Sequence, residues 1–186
     1  NYPAALTTLW LGVLNNDSEI ETTGESADQQ TYRIVGDPTE GSLLVAAAKA
    51  GALHIEIDKA YPRENEVPFD SERKRMITIH DVRAPRYDDP SPFTDERHKN
   101  WDVIAVKGAP DVVLELCTKY QAMNDETEPL DAKAKKRILD ANDAMTADAL
   151  RVLGLAYRVE KDVPNGEITP EQVEKELVFV GLIGMI

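Results

Sequence analysis

The sequence predicts a mixed α+β domain, an antiparallel β-sheet covered by helical hairpins. Two observations carry this. Short alternating or wholly apolar runs mark strands at Ile77–Val82, Trp101–Val106, Arg151–Val159 and Leu177–Ile186. Segments with helical periodicity lie between them, and several strands follow one another as hairpins, a pattern that favours an antiparallel sheet with helices packed on it. With 186 residues, 42% of them hydrophobic, the chain is long enough and apolar enough to bury one real core.

The elements follow in order. Leu6, Leu9, Trp10, Val13 and Leu14 recur at helical spacing, so residues 4–14 form an apolar-faced helix that Asn15-Asn16-Asp17 ends. Residues 17–32 are polar and read as a loop. A second helix starts sharply at Gly36-Asp37-Pro38-Thr39-Glu40, with Asp37 as N-cap and Pro38 at the first helical position. It runs through Leu43–Ala50 and closes at Gly51. Between the strands at 77–82 and 101–106, Ala84–Asn100 holds three prolines and many charges, and reads as a mobile surface excursion. Pro110–Tyr120 reads as a short helix. Asp131–Leu150 is a longer one with Lys133, Lys135, Lys136 and Arg137 on its exposed side. A turn at Pro164-Asn165-Gly166 and a short helix near Pro170–Lys175 separate the last two strands. The final run, Leu177–Ile186, suits a buried strand, and its apolar end reads as a piece of a longer polypeptide.

Composition excludes several functions. Asp and Glu number 34 against 21 Lys and Arg, a formal charge of −13, which argues against nucleic acid or an anionic membrane as partner. One cysteine, Cys117, allows neither an internal disulfide nor a CxxC zinc site, and fits a reduced cytosolic setting. His54, His80 and His98 lack metal-ligand spacing. The opening residues lack a signal peptide's basic start, and no apolar run reaches the length of a membrane span. The acidity is uneven. Residues 61–120 hold 10 basic against 12 acidic side chains, whereas residues 1–60 hold 3 against 9.

Four blocks stand out: Gly36-Asp-Pro-Thr-Glu-Gly41, Pro68-Phe-Asp-Ser-Glu-Arg-Lys-Arg-Met76, Val106-Lys-Gly-Ala-Pro-Asp111 and Leu150-Arg-Val-Leu-Gly-Leu-Ala-Tyr-Arg158. Singly each is bland. In this order they resemble the nucleotide-binding domain of the P-type cation-transporting ATPases, closest to the calcium-pump-like branch, over essentially the whole chain. The resemblance implies that residues 1–186 are a single nucleotide-binding domain of a membrane pump. Its last strand, 177–186, would lead back to a phosphorylation domain.

The resemblance also implies roles. Phe69 matches a phenylalanine that stacks on adenine; a flat apolar platform of this kind contributes about 0.5–1.5 kcal/mol beyond area burial. The competing reading makes Phe69 a core residue. Lys74 matches a lysine near the base and phosphate chain, while Arg73 and Arg75 read equally well as surface charges. Lys107 matches the lysine deep in the adenosine pocket, and Gly108 lets the backbone approach the ligand. Glu40 matches a glutamate near the adenine amino group, though its place also fits helix capping. Arg151 matches an arginine that reaches the phosphates with its guanidinium fork. Thr23-Gly-Glu-Ser26 looks like the actuator-domain loop of these pumps, but reads as coincidence here.

The expected ligand is ATP (Mg-ATP in the full-length enzyme). The expected partners are the phosphorylation and actuator domains of the same polypeptide, with no nucleic acid and no membrane contact by this piece. The expected location is the cytoplasmic side of an integral membrane protein. The sequence contains no Asp-Lys-Thr-Gly-Thr motif, no magnesium motif of the family and no Walker-type phosphate loop. Catalytic and metal residues are therefore not assigned, and the chain alone is expected to bind ATP without hydrolysing it. Calcium is the expected cargo of the pump. The alternatives are a pump for sodium/potassium, protons, magnesium or manganese, or a nucleotide-independent regulatory module with the same fold.

Overall fold

A computed structural model of the chain describes residues 3–23, 31–52, 54–82, 101–124, 126–161, 163 and 168–186. The elements are α1 (Pro3–Leu14), β1 (Glu19–Thr23), β2 (Thr31–Val35), α2 (Pro38–Lys49), α3 (His54–Ala60), β3 (Arg63–Asp70), β4 (Arg75–Asp81) and β5 (Asp102–Gly108). They continue as α4 (Pro110–Glu115), β6 (Cys117–Gln121), β7 (Thr127–Pro129), α5 (Ala132–Ala147), β8 (Arg151–Glu160), α6 (Pro170–Val173) and β9 (Leu177–Met185). Among the described residues seven strands form one sheet in the order β3-β4-β5-β8-β9-β6-β7, antiparallel except for the parallel pair β6–β9. The mixed α+β class and the mostly antiparallel sheet agree with the sequence.

The sheet buries both faces because its central strands are apolar at odd and even positions alike. On one face Val103, Ala105 and Leu155 pack with Trp10, Leu11, Leu14, Leu44 and Tyr61 from α1, α2 and the end of α3. On the other, Ile77, Ile79, Ile104, Val106, Ala156 and Phe179 meet Val113 and Leu114 of α4 and Val173 of α6, with Ile138 and Leu139 of α5 at the margin. Each fully buried Leu or Ile side chain contributes roughly 1.5–3 kcal/mol relative to exposure. The start of α2 is built as its sequence demands: Asp37 Oδ1 accepts from the amides of Thr39 (2.8 Å) and Glu40 (3.3 Å), and Gly51 leaves the helix at φ +86°.

Two sequence expectations are corrected. The polar segment 17–32 is not all loop, because Glu19–Thr23 and Thr31–Val35 pair as a two-stranded antiparallel ribbon. Its hydrogen bonds are mainly backbone, with a Thr23–Thr31 hydroxyl pair at 2.6 Å, so little apolar alternation betrays it. The ribbon joins α2 through Gly36 at φ +117°, where a Cβ would sit 2.5 Å from Ser18 Oγ. The helix at 110–120 is cut short, since α4 ends at Glu115 and Cys117–Gln121 become β6, drawn into pairing by the free edge of β9. A strand with no counterpart in the sequence reading is Arg63–Asp70, almost entirely polar, which forms the edge strand β3 of the described sheet, where one face and one edge need no apolar residue. The Ala84–Asn100 excursion and the turn at 164–166 lie outside the described residues, as does 24–30, which holds most of the Thr23–Ser26 motif. Among the described residues no helix is long and apolar enough to cross a membrane.

His80 of β4 is 1% exposed, with Nδ1 bonded to the carbonyl of Tyr61 at 2.9 Å. Burial, reinforced by the charge of nearby Arg63, outweighs that bond and lowers its pKa from 6.5 to about 4. The unfolded chain therefore takes up this proton first as pH falls. His80 removes stability between pH 6.5 and about 4, a loss on the order of 3 kcal/mol. In urea unfolding across that range, a His80→Gln chain shows a shallower fall in stability than the wild type. Equal slopes would contradict this assignment.

Candidate functional site

The two helices α1 and α2 bring their opposite ends together over the sheet. Lys107, near the end of β5, points into that junction and is 6% exposed. Its Nζ donates to the carbonyl of Asn15, at the C-terminal end of α1 (2.5 Å), and to Glu40 Oε1, in the first turn of α2 (2.7 Å). Each charge sits where a helix favours it, the cation at a C-terminus and the anion at an N-terminus. Burial depresses the pKa of Lys107 below the ordinary lysine value, against the pull of the Glu40 bond and charge.

The second oxygen of Glu40 accepts from the amide of Asp17 at 2.9 Å. Both oxygens are thus committed to Lys107 and to the chain leaving α1, while Asp37 does the capping. Asn15 fixes the same corner from below, since its buried Nδ2 donates to the carbonyls of Met76 (3.0 Å) and Ala105 (2.8 Å) on neighbouring strands. Arg63 completes the corner, donating to Asp17 Oδ1 (2.7 Å) and to the carbonyl of Asn16 (2.6 Å). Asn15, Asn16 and Asp17 read in sequence only as a helix stop.

Next to Lys107, Gly108 lies opposite Arg75 on β4 and Gly154 on β8. A Cβ on Gly108 would sit 2.5 Å from the carbonyl oxygen of Lys74 and 2.7 Å from Arg75 Cβ. The glycine is therefore required where the β3–β4 turn folds over the end of β5. There the amide of Ala109 also donates to that Lys74 carbonyl, at 3.0 Å.

The turn itself is tightly specified. Asp70 Oδ1 accepts from the amides of Glu72 (2.9 Å) and Arg73 (2.7 Å), and Lys74, at φ +52°, donates its amide to the Asp70 carbonyl at 2.6 Å. Ahead of the turn, the register moves from Val67↔Ile77 to Asp70↔Arg75, so Pro68 and Phe69 together oppose Met76. This is a β-bulge, which suits Pro68 on an edge strand and re-aims the side chains beside it. Phe69 is 63% exposed, and the core reading of it is set aside.

Arg151 opens β8 at the same end of the sheet, three residues beyond Gly154. Its Nη1 donates to Thr39 Oγ1 at 3.2 Å. Hydrogen bonding from the Thr39 side chain, together with the amides of Thr39 and Glu40 and the charge of Arg151, holds the exposed Asp37 carboxyl below the usual carboxylate range. Glu40, Lys107 and Arg151 are thus linked through the first turn of α2, and Phe69, Lys74 and Gly108 through the β3–β4 hairpin. The register Met76↔Lys107 joins the two groups.

This end of the sheet offers an exposed ring, two exposed cations and a buried ion pair, held by backbone and helix ends. Residues 6–186 match the P-type ATPase cytoplasmic domain N. The chain belongs to that family. It is similar to a calcium-transporting ATPase of Bacillus cereus, 36% identical over 151 residues, which are 81% of this chain and 15% of that protein. A calcium-transporting ATPase of Bacillus subtilis is 35% identical over 183 residues, 96% of this chain and 17% of that protein. A cation-transporting ATPase of Synechocystis is 32% identical over 178 residues, with the same shares. The N domain thus spans about a sixth of the length of these curated relatives.

Other features of this N domain lie apart from the six residues. A depression of about 530 Å³ borders the corner at Asn16 and Asp17 and is lined also by Ile55, Asp58, Lys59 and Arg63. Cys117 donates its thiol to the carbonyl of Val113, and burial pushes its pKa up to about 12, which disfavours the thiolate.

Two stability measurements check this geometry. Gly108→Ala is expected to cost about 1–3 kcal/mol in urea unfolding, because the added methyl meets backbone that cannot swing away. Glu40→Gln, which leaves the Lys107 ammonium buried without its counter-charge, is expected to cost ~3 kcal/mol. Adding Lys107→Met should recover part of that loss, as a coupled pair requires. Additive losses would show that the two side chains act independently.

Proposed function

We propose that this N domain binds ATP at the end of the sheet that carries Phe69, Lys74, Lys107, Gly108, Glu40 and Arg151. In the intact pump it would present the γ-phosphate to an aspartate of a separate phosphorylation domain. The observation that carries the reading is the bulge at Pro68-Phe69. It leaves an aromatic ring exposed just ahead of the turn that carries Lys74, on the hairpin whose strand β4 pairs with the strand of Lys107. An exposed ring costs solvation and is retained most simply as a stacking surface for a base.

The residues suit each part of the ligand. Phe69 would take the face of the adenine, and Glu40 would accept from its amino group with a lone pair not used by Lys107 or Asp17. Lys74 and Arg151, both exposed, would meet the phosphates, Arg151 with a planar fork suited to two oxygens. Magnesium would enter with the nucleotide and screen its phosphate charge. The chain's own part is to bind and orient. In-line transfer needs the positioned aspartate and metal of the other domain, so the isolated chain is expected not to hydrolyse ATP.

Calcium is the cargo we assign to the whole pump, because calcium is the ion named for the Bacillus cereus and Bacillus subtilis relatives. The whole protein would then be an integral membrane enzyme with this domain on its cytoplasmic side.

NMR titration of the 186-residue chain with ATP and with AMP tests the site. We expect shifts centred on Phe69, Lys74 and Gly108, and a dissociation constant on the order of 1 mM, since the phosphates meet few groups here. Phe69→Ala should weaken binding about tenfold, in line with the loss of one base–aromatic stack. An unperturbed spectrum at saturating nucleotide would overturn the reading in favour of a nucleotide-independent module.

A further inference from the structure

The β3–β4 turn is held from beneath by one carboxylate. Glu174 follows α6, and its side chain is only 8% exposed. Its Oε1 accepts from Arg73 Nη2 and, at 2.9 Å, from Arg75 Nε, and its Oε2 accepts from Arg75 Nη2 at 2.5 Å. Arg75 also donates from Nη1 to the carbonyl of Arg73 at 2.9 Å. The two guanidiniums are themselves largely covered, at 23% and 17% exposure. The surface-charge reading of Arg73 and Arg75 is thereby replaced by a half-buried triad.

Lys74 lies between the two clamped arginines. Its side chain is exposed while its backbone is held at φ +52°, a conformation uncommon for a residue with a Cβ. The turn needs no such triad to form, because Asp70 already caps it and the strands on both sides are paired. Burying three charged groups costs desolvation that a plain polar turn at a sheet edge would avoid. What the triad adds is a fixed placement for the residues it flanks. Glu174 is in turn anchored, because Val173 is buried in the core, the Glu174 amide donates to the Pro170 carbonyl at 2.8 Å, and Gln172 accepts from the Thr169 amide at 2.9 Å.

We propose that Glu174 is a positioning residue for nucleotide binding: through Arg73 and Arg75 it holds the β3–β4 turn so that Lys74 and Phe69 face the ligand together. This rests on the ATP-binding reading above. Burial disfavours the carboxylate, but the bonds and charges of Arg75 and Arg73 outweigh it and hold its pKa below the ordinary value. The charged form of the carboxylate is thereby favoured.

The test is an ATP titration of the chain with Glu174→Gln, alone and combined with Lys74→Ala. Glu174→Gln is expected to raise the dissociation constant about tenfold on its own, and by a clearly smaller factor once Lys74 is already alanine, because only Phe69 is then left to position. A merely structural role would weaken binding equally in both backgrounds, and that result overturns the proposal, as does an unchanged affinity in the single variant. Should Glu174→Gln fail to fold, Arg73→Gln decides instead. It removes one arm, leaves the carboxylate paired with Arg75, and is expected to raise the constant about threefold where Lys74 is intact and less where Lys74 is alanine. A wild type that takes up no ATP refutes the ATP-binding reading itself, an outcome distinct from a wild type that binds and a variant that binds as well.

Discussion

The buried contact between Lys107 and Glu40, seated on the Asn15 carbonyl just past α1, is the constraint around which this domain is arranged. An ammonium and a carboxylate taken out of water are costly unless geometry and extra hydrogen bonds compensate. Here the compensation comes from three separate elements. The end of α1 supplies the Asn15 carbonyl, the start of α2 supplies Glu40, and the chain between them supplies the Asp17 amide. Moving α2 would strand a charge, and moving either of the others would leave a charged group short of a hydrogen bond. The pair therefore sets how the two helices meet over the sheet, and the first turn of α2 then places Thr39 within reach of Arg151.

The β3–β4 hairpin obeys a different logic. Its tip is built from hydrogen bonds and ion pairs with almost no apolar burial. One edge strand carries a bulge, and the turn closes against a glycine that admits no side chain. Elements with few buried contacts open locally at low free energy, so a tip that must present two side chains together needs another source of order. Asp70 supplies it within the turn and Glu174 from the neighbouring layer.

Much of this was legible in the residues. Asp37 followed by Pro38 marks the start of α2 because capping and a preset φ are local effects, readable without the fold. The strands β4, β5, β8 and β9 announce themselves because two buried faces demand apolar residues. The edge strand β3 and the ribbon β1–β2 do not, since their cohesion lies in backbone pairing that leaves no mark on side-chain type. The six candidate residues were findable through the order of their blocks. Their supports were not. Asn15 acts through a carboxamide and a carbonyl that any helix end could offer, and Glu174 is one acid in an acid-rich stretch whose partners lie about a hundred residues away. Only the folded register brings them together.

The position of β9 has a consequence for how the chain folds. The strand lies between β8 and β6, and α1, near the other end of the described chain, packs against it. Closing the core thus requires residues near 10 and near 180 to meet. Long-range pairing of this kind slows folding, because the loop-closure entropy is lost before the contacts that offset it form. Until β9 docks, β8 and β6 each present a bare edge, open to mispairing with another chain. The parallel pairing of β6 with β9 makes the last strand the keystone of assembly as well as of the finished sheet.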